Sequence, residues 1–475
     1  MISIGVPTCF PDTLPVNQKR NLRQANGEIY PLGLWVNNYL AAQISSSVLR
    51  ILIEERLGYN VTETGTGSGS DALYALMGCS NPTTVADRGC GQPITYHHIN
   101  LENWFASDLA ELQAQFPAMA PINAGSMGYV GQESVFIPKD VQRTALQEAG
   151  AMLDSYLGWN RSQPGLFFDS IASIDRSSVY PCNETSFYMD YPNELYVNIT
   201  GDEDGIRRLS GNRIVAHCPD GYFWLAPACR DNASQCVPYF TGGSGWMLDE
   251  VMQKATSFNM PLALGVAKDW SQLPRRVTCA FYWWTPDQTF LDLDPVKITF
   301  PEYDSNARNL GDKRSSLEGN AISKLISQDL SVLAPSVEVL VRSFHLQVED
   351  LNSMMMDVKT NGSHLDAACR WLKSNSSSWQ SWLSYDEVEE VEDAGTTPYD
   401  EVEKVEDAGT TPSDEAEKVE DAGTTPSHEV EKVEDAGTTP YDEVEKVEDA
   451  GTTPLSFLNP FVGISVFVWH YMCTF

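Results

Sequence analysis

The stretch Leu40–Thr62, LAAQISSSVLRILIEERLGYNVT, decides the fold class. Ile44, Val48, Ile51 and Leu52 recur at three- and four-residue spacing, the period of a helix with a buried face. A helix is therefore predicted over Leu40–Leu57. Gly58 ends it, because glycine accepts the left-handed backbone of a helix C-terminus. Tyr59–Thr62 reads as a short strand. A Gly/Ser turn from Thr64 to Ser70 leads into a second helix, capped by Ser70 or Asp71. Further out, Pro138–Leu157 and Trp246–Phe258 read as helices. Val277–Trp284 reads as a strongly apolar strand that runs into Thr285-Pro286. Helices alternating with single strands imply an α/β fold with mostly parallel sheets covered on their faces.

The chain has 475 residues and a formal charge of −34. Residues 385–454 hold 25 acids and 4 lysines, a net −21, so the rest carries −13. No basic face is visible, which excludes nucleic-acid binding as a main role. An apolar fraction of 42% allows a well-buried core.

The acidic segment is a repeat of period 14, as in Tyr441–Pro454, YDEVEKVEDAGTTP. Versions of it fill 385–398, 399–412, 413–426 and 427–440. Most units offer two valines three residues apart, such as Val402 and Val405, and little other apolar surface. A stacked solenoid needs a hydrophobic face on every repeat. The segment reads instead as a charged, self-repelling stalk. No EF-hand spacing supports calcium binding.

Residues 1–27 read as a loose leader, 28–384 as the globular part and 455–475 as a hydrophobic tail. Residues 1–30 lack the unbroken apolar run of an ordinary signal peptide. The tail has no Lys, Arg, Asp or Glu, but Pro460 interrupts it. A membrane span, a lipid-anchor signal and an aberrant gene end are the three readings of it.

Ten cysteines are present and none forms a CxxC pair. The spacings Cys79/Cys90 and Cys229/Cys236 suit disulfides; the connectivity as a whole cannot be read from sequence. Glycosylation sequons stand at Asn60, Asn160, Asn183, Asn198, Asn232, Asn361 and Asn375. Together they imply an extracellular or cell-surface glycoprotein, attached to a membrane through its tail.

Four stretches carry a family resemblance: VLRILIEERLGYNV (48–61), NLENWFAS (100–107), AFYWWTPD (280–287) and AACRWLKSNSSSWQSWL (367–383). In this order they resemble substrate-binding proteins of glycine betaine-type ABC importers. The sequons, insertions and acidic tail suggest a eukaryotic relative. The resemblance implies a two-lobed fold of the periplasmic-binding-protein type II kind, closing on a hinge over its ligand. Lobe one would take roughly 28–135 plus 265–384, and lobe two about 136–264. The implied partners are a small quaternary ammonium or zwitterionic solute and an ABC permease.

A quaternary ammonium has no N–H to donate, so it is held by the negative faces of aromatic rings. Trp104 and Trp284 match the family's cage positions motif by motif. A third ring is expected from lobe two, at Trp224 with Tyr222 as the fallback. Ser68 and Ser70, in the turn before the second helix, offer backbone N–H groups to a ligand carboxylate. Tyr129, after Gly125-Ser126-Met127-Gly128, reads as a turn residue that would line the cleft. The commoner role of tryptophan is core packing. It is assigned to Trp371, Trp379 and Trp382, and to Trp283, which should face away from Trp284 on its strand.

HExxH, GxSxG and Walker A motifs are absent. Adjacent His97 and His98 cannot both face one metal from a regular element. The expectation is a non-catalytic solute-binding protein without cofactor or metal. The alternative is a structural or adhesive surface glycoprotein that keeps the fold. A secreted hydrolase is the third reading, with no particular pair of acids singled out.

Overall fold

The computed structural model describes residues 8–383, apart from 25, 68, 85–86, 91–94, 161–162, 186–193, 210–213 and 244–245. The acidic repeat, the hydrophobic tail, Ser68 and Cys473 lie outside the described residues. Among the described residues no helix is long and apolar enough to cross a membrane.

Among the described residues ten strands form one mixed sheet. They are β1 (Leu32–Asn37), β2 (Val61–Gly67), β3 (Ile99–Asn103), β4 (Ile122–Ile137), β5 (Trp224–Leu225), β6 (Val237–Thr241), β7 (Leu262–Val266), β8 (Ala280–Thr285), β9 (Val296–Lys297) and β10 (Asn320–Ile326). The order is β2-β1-β3-β10-β4-β8-β6-β7-β5, with β9 beside β4. Two parallel groups, β2-β1-β3 and β8-β6-β7, flank an antiparallel centre of β10 and β4. The expected α/β class holds. The sheet is less parallel than expected, because β4 runs through both halves: residues 122–131 pair with β10 and 132–136 with β8.

The core divides on either side of that shared strand. One apolar cluster joins residues 9–61 with 99–129 and 322–383. Two others occupy the faces of the β8-β6-β7 half, from Val135 to Phe300. These are two lobes. The chain passes from the first core to the others near residues 130–135. The return falls between Phe300 and Ile322 rather than near 265, because β8 pairs with β6 and carries Tyr282 and Trp284 into the second core.

Helix α1 (Leu40–Glu55) follows β1 directly and is buried almost all round. It packs against α5 (Val348–Asn361) and α6 (His364–Ser374) as well as the sheet. The mid-helix hydroxyl of Ser45 donates to the Ala41 carbonyl, satisfying itself inside the core. Helix α2 (Gly69–Leu76) starts after β2, as expected. Helices α3 (Leu248–Ser257) and α4 (Pro335–Ser343) come between α2 and α5 in chain order. The expected helix over 138–157 stops at Ala149, where Gly150 takes a left-handed φ of 63°.

The leader is not loose from Thr8 onward. Cys9 and Phe10 are buried, and both of their backbone N–H groups donate to the Glu55 carboxylate. Cys9 is bonded to Cys369 on α6, 360 residues away. The predicted Cys79–Cys90 and Cys229–Cys236 bonds are present, with Cys182–Cys218 as a fourth; Cys279 is free and buried. Five of the sequon asparagines are exposed, while Asn60 and Asn375 are half-buried and donate to backbone carbonyls.

Candidate functional site: aromatic side chains at the carboxyl ends of two parallel strand groups

In parallel α/β sheets ligands gather beyond the carboxyl ends of the strands, where loops leave in different directions. Both halves of this sheet place aromatic residues there. In the first half Tyr39 follows β1 and Trp104 follows β3. In the second, Trp246 follows β6, Trp270 follows β7, and Trp284 is the penultimate residue of β8.

The shared strand brings the two sets together. Trp284 lies opposite Glu133 in the β8-β4 register, so both side chains leave the same face. Gly131 sits two residues earlier on that face. A Cβ there would come within 2.3 Å of the Trp104 ring, so glycine is what lets the indole lie on the strand. Trp104 is half-buried and packs against the cores of both lobes. The structure thus places Trp104 and Trp284 over adjacent positions of one face.

The first lobe holds its tryptophan with hydrogen bonds. Trp104 Nε1 donates to the Tyr39 hydroxyl at 3.1 Å. That hydroxyl and Asn37 Nδ2 both donate to the Glu102 carbonyl. Glu102 Oε1 accepts from the Tyr129 hydroxyl at 2.5 Å and lies 3.0 Å from the Ser45 hydroxyl, whose one proton goes to the nearer Ala41 carbonyl. Glu102 is fully buried, and burial pushes its carboxyl up to about 7. Its backbone has a φ of 65° in the left-handed region, at the residue that turns the chain toward Trp104.

The second lobe holds its tryptophan with rings. Trp284 lies 5.3 Å from Trp270, 6.0 Å from Trp246 and 6.2 Å from Tyr282, centroid to centroid. Trp246 meets Trp270 edge-on at 5.0 Å. Gly242 makes room, since a Cβ there would strike both rings. Trp284 is 7% exposed. Trp283 packs in the opposite core as expected, although its ring stacks on Trp284 at 5.5 Å.

Other expected residues lie elsewhere. Trp224 is wholly buried on β5, donates Nε1 to the Gly205 carbonyl and meets Tyr196 edge-on. Three strand spacings, about 14 Å, separate β5 from β8, so Trp224 packs in the core away from Trp284, and the tryptophans beside Trp284 are Trp246 and Trp270. Tyr222 packs with the core on the other face of the sheet, near Arg176. Tyr129 is not in a turn: it lies within β4, buried against Glu102. Ser70 stands in the first turn of α2, while Ser68 lies outside the described residues. His98 is buried and accepts from the Gly33 N–H, and His97 bonds Thr64. Among the described residues no cluster suits a metal ion.

Residues 273–374 match the family model described as the substrate binding domain of ABC-type glycine betaine transport system. The likeness to this family is carried by residues 273–374. The match takes in β8 with Trp284 and ends at the close of α6; Trp104 lies outside it. No curated protein matches the chain. Among solved structures, lactococcal OpuAC in its closed form with glycine betaine is 10% identical with a TM-score of 0.40, over 74% of this chain and 98% of that one. A choline-binding ABC transporter protein in complex with choline is 11% identical with a TM-score of 0.41, over 74% and 91%. A glycine betaine/L-proline-binding protein from Borrelia burgdorferi is 10% identical with a TM-score of 0.39, over 74% and 97%. These distant likenesses add no residue-level correspondence.

Proposed function

We propose that the chain is the solute-binding component of an ABC-type, glycine betaine-like transport system. It holds a small quaternary ammonium or similar zwitterion between aromatic rings of its two lobes. The observation that carries this is Trp104 lying over Gly131 while Trp284 flanks Glu133, two residues along the same face. Each ring contributes about 0.5–2 kcal/mol to a bound methylated cation, more as water is excluded. Trp246 and Trp270 add rings from lobe two. Tyr39 fixes the Trp104 plane. The protein binds rather than turns over its solute. It works at the cell surface with a permease, carries glycans at its exposed sequons, and is attached through its C-terminal tail.

One observation favours the alternative, a surface glycoprotein that keeps the fold without a ligand. Trp284 is 7% exposed and already surrounded by its own neighbours. A thermal-shift titration of the full chain against a panel of methylated ammonium and sulfonium solutes separates the two. A ligand at about 100 times its dissociation constant adds about 2.7 kcal/mol of stability. A selective rise in Tm is expected from the binding protein. A folded chain that no member shifts is the glycoprotein.

A further inference from the structure

Glu133 has a place in the site that neither the family match nor the sequence motifs assign. Its carboxyl lies on the same face as Trp284, directly across the strand pair. Oε2 accepts from the Tyr282 hydroxyl at 2.9 Å. Tyr282 belongs to the same ring cluster, 5.5 Å from Trp246. No hydrogen bond from the described residues reaches Oε1, and no Lys, Arg or His among them pairs with Glu133. The nearby acid Glu250 differs in this respect. Lys254 and Arg308 occupy its two oxygens at 3.1 and 2.6 Å. Glu133 is thus a half-buried carboxyl set among aromatic rings with no counter-ion.

Burial and the Glu250 charge push the Glu133 carboxyl up to about 7, against the lowering effect of Tyr282. An isolated carboxylate in such surroundings is costly and tends to stay protonated. A cation on the rings removes that cost. A ligand carboxylate brought to the same place adds a like charge and raises it.

We propose that Glu133 is the counter-ion of the bound solute and that the site selects a methylated monocation, of the choline or tetramethylammonium type, over a betaine zwitterion. This rests on the aromatic-site reading above. It deepens that reading by fixing the ligand's net charge. The rings supply the methyl recognition common to both solutes. Glu133 supplies the discrimination, since only the monocation offers positive charge without a carboxylate.

The test is calorimetric titration of the full chain with choline, glycine betaine and 3,3-dimethylbutan-1-ol, the uncharged analogue of choline. The wild type should bind choline at least about tenfold more tightly than either of the others. Glu133→Gln should weaken choline about tenfold, leave the uncharged alcohol unchanged and narrow the choline-to-betaine ratio. Circular dichroism and Tm establish that the variant is folded, and the wild-type series stands by itself if it is not. Betaine binding as tightly as choline in the wild type, or an unchanged ratio in folded Glu133→Gln, overturns the proposal. Betaine binding with that outcome leaves the aromatic site standing. Absence of binding by all three overturns both.

Discussion

The two halves of the sheet solve one problem in different ways. Each brings a tryptophan and a raised carboxyl to the carboxyl ends of its parallel strands. In the first half Glu102 is sealed in, with Tyr129 and Ser45 at its Oε1 and no hydrogen-bond partner for its buried Oε2 among the described residues. In the second half Glu133 is half-buried, and the Tyr282 hydroxyl is its one partner among the described residues. Trp104 is oriented by a hydrogen bond, Trp284 by other rings. The first arrangement fixes a geometry. The second leaves an unbalanced charge facing the rings.

The comparison breaks most visibly at Trp224. Trp224→Ala should cost about 4 kcal/mol of stability, because a wholly buried ring leaves a cavity. Solute affinity of the folded variant should be unchanged. Chemical denaturation and calorimetry measure the two. An affinity loss without destabilisation would return Trp224 to the site.

Glu102 sharpens the contrast through pH. Its carboxyl ionises near 4.5 in an unfolded chain and near 7 when folded. Between those values the folded chain holds more protons than the unfolded one. The stability tied to Glu102 is full below about pH 4.5 and falls by about 3 kcal/mol as pH rises through 7. Glu102→Gln should remove that fall from denaturation curves taken between pH 5 and 8. A decline of the same size in the variant would trace it to another group.

Tyr39→Phe removes the acceptor of the Trp104 N–H. About 1 kcal/mol of stability should go. Affinity should weaken a few-fold through a less ordered ring, visible as a broadened Trp104 indole N–H resonance. Tyr222→Ala should have the smallest effect, leaving affinity within about twofold. A larger loss would place the site on the other face of the sheet.

Much of this was legible in the sequence. The α1 period and the apolar β8 each report local propensity and a buried face, and the structure has them; the expected turn from Thr64 is instead strand as far as Gly67. Trp104 and Trp284 came from ordered motifs. What was missed depends on pairing. The Gly131–Trp104 contact and the Glu133–Trp284 register join residues that are far apart in sequence, and no local pattern encodes them. Trp246 had a signal: Gly242-Gly243 just before it marks a close approach, which the ring makes. The burial of Trp224 has no sequence signal, because a tryptophan between two cysteines looks the same whether it faces a cleft or a core. The anchoring of the leader has no local signal either, because the Cys9–Cys369 bond spans 360 residues.

The most direct measurement is a calorimetric titration of the full chain with tetramethylammonium, for wild type, Trp104→Ala, Trp284→Ala and the double variant. At about 0.5–2 kcal/mol or more per ring, each single change should weaken binding by about tenfold, and the double variant should show no saturable binding. Wild-type affinity retained in either folded single variant would contradict the two-lobed aromatic site.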